Sequence, residues 1–259
     1  MLRFLTGPVH LDEDGEELRT KLALHLAEAV QRPVQVVASR SYASVAEMVG
    51  RGDAELAWLP PAIFVRAEQA SPVRLLCAVE RSRGAGYRGV LFVPQDSDVQ
   101  TPDALTGKRV AWVDRDSCAG HLFPRLALRE AGLEPNDMFG EQRFEGSHGA
   151  VVRAVMRGDA DCGATHAQTL DDGETLMLAG WQPYAGHDGM RALLVTAPIP
   201  PDVICASSAL DPDALDDVRQ ALLGLHESDD AQLLDEFFGG HKLIAAHTAD
   251  YDAVRAAML

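Results

Sequence analysis

Residues 41–62 read SYASVAEMVGRGDAELAWLPPA, and residues 144–165 read FEGSHGAVVRAVMRGDADCGAT. At an offset of 106 residues, Arg51-Gly52-Asp53-Ala54 falls on Arg157-Gly158-Asp159-Ala160, and Ser41-Tyr42 falls on Ser147-His148. Both stretches share one grammar: a serine able to cap a helix, apolar residues at helical spacing, a glycine near the helix end, then a short apolar strand. The same shift lays Leu2-Arg3-Phe4 onto Lys108-Arg109-Val110. A single register kept through three separated segments is hard to obtain from chance likeness of turns. Two similar lobes are therefore expected.

Working outward, strands and helices alternate. Leu2 to Val9 reads as a strand. Leu18, Leu22, Leu26 and Val30 mark a helix, and Val34 to Ser39 reads as a strand. After the helix that Ser41 caps come a strand from Glu55 to Leu59, a helix, and the strand VRLLCAVE. The pattern restarts with a strand from Arg109 to Val113 and a helix from Ser117 to Gly132. A strand from Gln142 to Glu145, a helix from Ser147 to Gly158 and a strand from Ala160 to Ala164 follow. Such βαβ order predicts mainly parallel sheets flanked by helices, with ligands at the carboxyl ends of the strands. Residues 83–86, within RSRGAG, and residues 194–197 are expected to cross between lobes. Lobe 1 is then 1–82 plus 198–259, and lobe 2 is 87–193. Met190 to Val195 is apolar and Val203 to Ser207 reads as a strand. Helices over Asp213–His226, Ala231–Phe238 and Ala249–Leu259 are expected to pack on the first lobe. Asp171 to Asp188, with three glycines and little periodicity, receives no element.

Composition narrows the function. The chain has 259 residues, 47% of them hydrophobic, and a formal net charge of −16 without a basic run. That excludes the clustered Lys and Arg that nucleic acid requires. An anionic ligand must be caught by local dipoles, because the overall field opposes it. No stretch has the length of a membrane span, and the N-terminus MLRFLTGPVHLDEDGEE has neither the basic start nor the apolar core of an export signal. The sequence as written is expected in the cytoplasm, or in the periplasm if a signal has been removed. Cys77, Cys118, Cys162 and Cys205 form no CxxC or Cys/His cluster, so reduced core thiols and no metal or cofactor are expected.

Val113-Asp114-Arg115-Asp116-Ser117-Cys118-Ala119-Gly120 follows a strand and opens a helix with small residues. Backbone N–H groups and the helix dipole favour an anion there, and the Ser117 hydroxyl can donate or cap the helix. Ser147 and His148 repeat the arrangement, and Tyr42 stands at the matching corner of the first lobe. His148 and Tyr42 can each donate a hydrogen bond to an oxyanion.

At these segments, and over GYRGVLFVPQDSDVQTPDALTGKRVAWVDRDSCAGHLFPRLALREAGLEP from Gly86 and IPPDVICASSALDPDALDDVRQALLGL from Ile199, the sequence resembles the phosphate/phosphite/phosphonate substrate-binding proteins of ABC transporters. The likeness covers nearly the whole chain. It implies a two-lobed type II periplasmic-binding-protein fold that closes on a small phosphonate- or phosphite-like oxyanion without catalysis. A single chain in solution is expected, with an ABC permease or a sensor kinase as partner. The family's helix start falls on Ser117, Cys118, Ala119 and Gly120, and its tyrosines and histidine fall on Tyr42, Tyr87 and His148. Thr165 and His166 lie near the place where an acidic residue would hold a ligand ammonium group, which puts an amino-bearing ligand in doubt. Cys118 replaces a usual hydroxyl. A thiol donates weakly to phosphoryl oxygen, and at a helix start its pKa is expected to fall, leaving a more accessible thiolate. A thiolate would favour a soft centre such as trivalent arsenic, so an arsenite-type sensor is one alternative. A lyase-like enzyme built on a Cys118–His148 pair is another. Against it, the sequence has no HExxH, GxSxG or P-loop.

Overall fold

The computed structural model describes residues 1–8, 13–81, 87–170, 172–173 and 175–259. In chain order the elements are β1 (Leu2–Thr6), α1 (Glu13–Val30), β2 (Val34–Ala38), α2 (Tyr42–Arg51), β3 (Leu56–Leu59), α3 (Pro61–Ala70), β4 (Val73–Glu80), β5 (Tyr87–Pro94) and β6 (Arg109–Trp112). Next come α4 (Phe123–Glu130), α5 (Pro135–Met138), β7 (Glu141–Phe144), α6 (His148–Met156), β8 (Cys162–Thr169), β9 (Leu176–Ala179), α7 (Gln182–Ala185) and β10 (Met190–Pro198). The chain ends with β11 (Val203–Ser207), α8 (Pro212–Gly224), α9 (Leu233–Glu236), β12 (Lys242–Ile244) and α10 (Asp252–Ala257).

Two compact units result. The first is Met1–Ser82 with Pro201–Asp252, and the second is Arg83–Pro200 with Ala253–Leu259. Residues 83–86 lie outside the described residues, whereas 194–197, expected to cross between lobes, are strand residues of β10. Residues Ala253–Leu259 group with the second unit, not with the first as expected from the sequence. The carbonyls of Ala256 and Ala257 accept from the Arg129 guanidinium at 3.4 Å, a polar tie that helical periodicity does not reveal. The expected helix over Ala231–Phe238 shrinks to the single turn of α9, and the last one opens with a 3-10 turn over Thr248–Tyr251.

In the first unit the sheet order is β12-β4-β11-β3-β1-β2. In the second it is β10-β5-β8-β6-β7, with β9 also paired to β8. Both sheets are mixed. β1 to β4 run one way with β11 and β12 reversed, and β6, β7, β8 and β10 run one way with β5 and β9 reversed. Side-chain alternation along the strands gives each sheet two apolar faces. Val90 and Phe92 pack with Val151, Val155 and Trp181 on the α6 side. Leu91 and Val93 pack with Trp112, Leu128 and Phe139 on the α4 side. In the first unit Leu22, Leu26 and Val30 of α1 meet Val218 and Leu222 of α8 over Phe4 and Val36.

The 106-residue repeat is present in backbone detail. Phe4↔Leu56 and Arg3↔Gln35 in the first sheet become Val110↔Cys162 and Arg109↔Glu141 in the second, each shifted by 106. The Arg3 amide donates to the Glu55 carboxylate at 2.7 Å, and the Arg109 amide donates to that of Asp161 at 2.8 Å. Gly52 and Gly158 both hold a left-handed φ, 78° and 74°, after their helices, where a Cβ would be strained. Arg51 and Arg157 then pair with Asp53 and Asp159. The RGDA motif is thus a helix stop joined to a strand start.

Candidate functional site

The middle of β8, the start of β5 and the start of α6 bring four second-unit candidates together. His148, the first residue of α6, has its Nδ1 3.0 Å from the Thr165 hydroxyl on β8. The next residue of that strand, His166, meets the His148 ring edge-to-face at 4.8 Å between ring centres. Tyr87, the first residue of β5, stacks with His166 at 6.4 Å between ring centres. Thr165 is fully buried, and both histidines are mostly so. Burial, and secondarily the His166 ring, push the His148 pKa down to about 4. Burial alone pushes that of His166 down. Both imidazoles are therefore neutral at pH 7, each with one N–H to give and one ring nitrogen to accept.

Ser117 to Gly120 sits beside this group through β5. Gly89 is the register partner of His166. A Cβ on Gly89 would lie 2.8 Å from the Ala119 carbonyl oxygen, so the glycine lets the turn close on the strand. The Ser117 hydroxyl accepts from the Gly120 amide at 3.0 Å, which leaves its own proton to donate. Ser147 caps α6 likewise, accepting from the Ala150 amide at 3.2 Å. The helix expected from Ser117 to Gly132 starts with a π-helical turn over Cys118–Leu122. Pro124 explains the widening: it has no N–H for the Gly120 carbonyl, which accepts instead from Val113 at 3.1 Å. Phe123 donates to Cys118 and Leu122 to Ser117, closing the wider rings.

Cys118 is largely enclosed. It is 7% exposed, packed at the turn, and none of the four cysteines forms a disulfide. In the first unit Tyr42 opens α2 behind the Ser41 cap, and its ring covers Gly7, where a Cβ would come within 1.9 Å of Cε1. Burial, then the Asp202 carboxylate, push the Tyr42 phenol up to about 12 against the opposing Arg81, so it stays a neutral donor.

Two neighbours were not legible in the sequence. A Cβ on Gly180 would lie 2.3 Å from the Thr165 hydroxyl and 2.8 Å from His166 Cε1. One on Gly149 would meet the Tyr184 hydroxyl at 2.4 Å, and Arg153 lies over the Tyr184 ring at 5.3 Å. Gly180 and Tyr184 come from the segment 171–188, whose β9 and α7 are four residues each, too short to show a period.

Two α/β units, each a mixed sheet flanked by helices, have the architecture of a type II periplasmic-binding-protein fold. XAC2383 from Xanthomonas citri, solved with ATP, superposes with a TM-score of 0.79 at 18% identity, covering 99% of this chain and 95% of that one. PhnD1 from Prochlorococcus marinus, solved with methylphosphonate, gives 0.73 at 17% identity over 99% and 96%. Residues 6–251 match the family described as "ABC transporter, phosphonate, periplasmic substrate-binding protein", and the chain belongs to that family. The phosphate-import protein PhnD of Mycolicibacterium smegmatis is 26% identical over 243 residues, 86% of this chain and 74% of its own. Among the described residues no helix is long and apolar enough to cross a membrane.

Proposed function

We propose that this chain is the solute-binding component of an ABC uptake system and takes a small tetrahedral phosphorus oxyanion of phosphonate or phosphite type, without turnover. The observation that carries the reading is the 3.0 Å contact between Thr165 and the Nδ1 of a neutral His148. With the threonine O–H donating to Nδ1, the imidazole proton sits on Nε2 and is offered to a ligand oxygen. The Ser117 hydroxyl and the small-residue turn add donors in the same unit. An ABC permease is the partner. The phosphate-import relative and the methylphosphonate complex of the fold relative support this ligand class.

Thr165 and His166 fall near the place where the resemblance expects an acidic residue for an ammonium group, so unsubstituted or methyl-bearing ligands are preferred to aminophosphonates. The buried Cys118 speaks against a thiol-reactive ligand. A thermal-shift panel tests the class. At a hundredfold excess over Kd a bound ligand adds about 2.7 kcal/mol of stability. Methylphosphonate or phosphite should raise Tm in this way, and 2-aminoethylphosphonate and arsenite should not. A shift with arsenite alone, lost in Cys118→Ser, would refute the proposal.

A further inference from the structure

The groove along β2 in the first unit lies apart from the candidate site. About 650 Å³ in volume, it is lined by β2 with its approach from Pro33 and by α1, including Arg19, Ala23, Leu24 and Ala27. Leu24 is 67% exposed although it sits beside apolar neighbours. β2 ends the sheet, and its sequence, VQVVA, carries no charge and no proline. Edge strands are ordinarily guarded by charge, proline or shortness. The repeat-equivalent edge, β7, reads EQRF and holds a Glu141–Arg143 ion pair. β12 has three residues including Lys242, and β10 carries Arg191 and Pro198. β9 is uncharged but only four residues long.

The direction of the open backbone groups says what fits. The Leu2 amide donates to the Pro33 carbonyl and the Ser39 amide to the Thr6 carbonyl, both at 2.8 Å. Alternation along a parallel pair then turns Gln35 and Val37 toward β1, and the N–H and C=O groups of Val34, Val36 and Ala38 outward. An antiparallel copy of the same strand, related by a two-fold axis through Val36, satisfies all of them. Val36 pairs with its own equivalent, and Val34 pairs with Ala38 in both directions. The same axis brings Leu24 and the small residues of α1 toward their equivalents. Charge favours a second copy here too: the groove has one acid, Glu16, balanced by Arg19, in a chain of net −16. Two such acidic chains meet there without the repulsion they face elsewhere.

We infer that β2 is a homodimer edge, at which two copies of this chain join their first-unit sheets antiparallel about Val36. This sets aside the single chain expected from the sequence. Sedimentation velocity of the full chain over a concentration series tests it. The wild type should show a reversible shift to twice the mass of one chain. Leu24→Asp, at an exposed position, should weaken association about a hundredfold or more, since two leucines lose their cover. Ala38→Pro, which removes an outward N–H, should do the same. Met177→Asp on β9 should leave association unchanged. A single-chain mass at every concentration overturns the inference and leaves the edge to an extended segment of another protein. A dimer that survives Leu24→Asp, or one lost in Met177→Asp, overturns it equally.

Discussion

Acid should weaken the second unit through His148, and the size of the effect follows from its surroundings. An ordinary histidine titrates at 6.5, and this one is pushed down to about 4, chiefly by burial. Between those values the unfolded chain binds a proton that the folded chain refuses, so stability rises with pH. The contribution is fully present above about pH 6.5 and is lost as pH falls toward 4. Each pH unit in that window is worth at most 1.36 kcal/mol, which gives about 3 kcal/mol in all. His121, pushed down to about 4 by burial, and His166, also lowered, act in the same direction, so the wild-type slope alone does not isolate His148. His148→Gln does. Urea unfolding at about pH 7 and about pH 4.5 should show the wild type losing roughly 2–3 kcal/mol more than the variant. Parallel losses in the two proteins, or an NMR titration of the His148 ring near 6.5, would refute the assignment of a buried neutral imidazole.

Three further substitutions probe the framework. Gly120→Ala places a Cβ 2.2 Å from Val113 Cγ2 and 2.6 Å from Val113 Cβ. It should cost about 1–3 kcal/mol, only partly recovered by Val113→Ala, in chemical denaturation. Gly7→Ala forces the Tyr42 ring off its seat and should lower Tm in a thermal melt, whereas Tyr42→Phe, which keeps the ring, should leave Tm nearly unchanged. Asp161→Asn removes a carboxylate that Arg109 holds below the usual range by hydrogen bond and charge. The loss should be about 1 kcal/mol at neutral pH and should fade as acid protonates the wild-type carboxyl below its ordinary 3.8. Denaturation curves at pH 7 and pH 3 check both parts.

The repeat shows how far sequence reasoning reaches. RGDA at 51–54 and 157–160, with serine ten residues before each, sets helix cap, helix stop and strand start, because those steps are local and each residue type has one cheap way to serve them. The strand pairings then follow with a single offset. Lost to such reading is whatever depends on non-local contact or on very short elements. The proximity of His148 to Thr165 needs the register of β8 against α6, and hydropathy could not carry β8 through CGATHAQT. Gly180 and Tyr184 ride on four-residue elements with no period to detect. The π-helical turn was legible in principle: Pro124 removes a donor to Gly120, and the strand before the turn supplies another.

Isothermal titration calorimetry of methylphosphonate into wild type, Thr165→Val and His148→Ala tests the central claim most directly. The account predicts binding to the wild type and a loss of at least about tenfold in each variant, since a site built to hydrogen-bond an oxyanion loses one donor or the group that orients it. Binding that is unchanged in both folded variants, or heat-silent wild type with methylphosphonate, phosphite and phosphate alike, would contradict it.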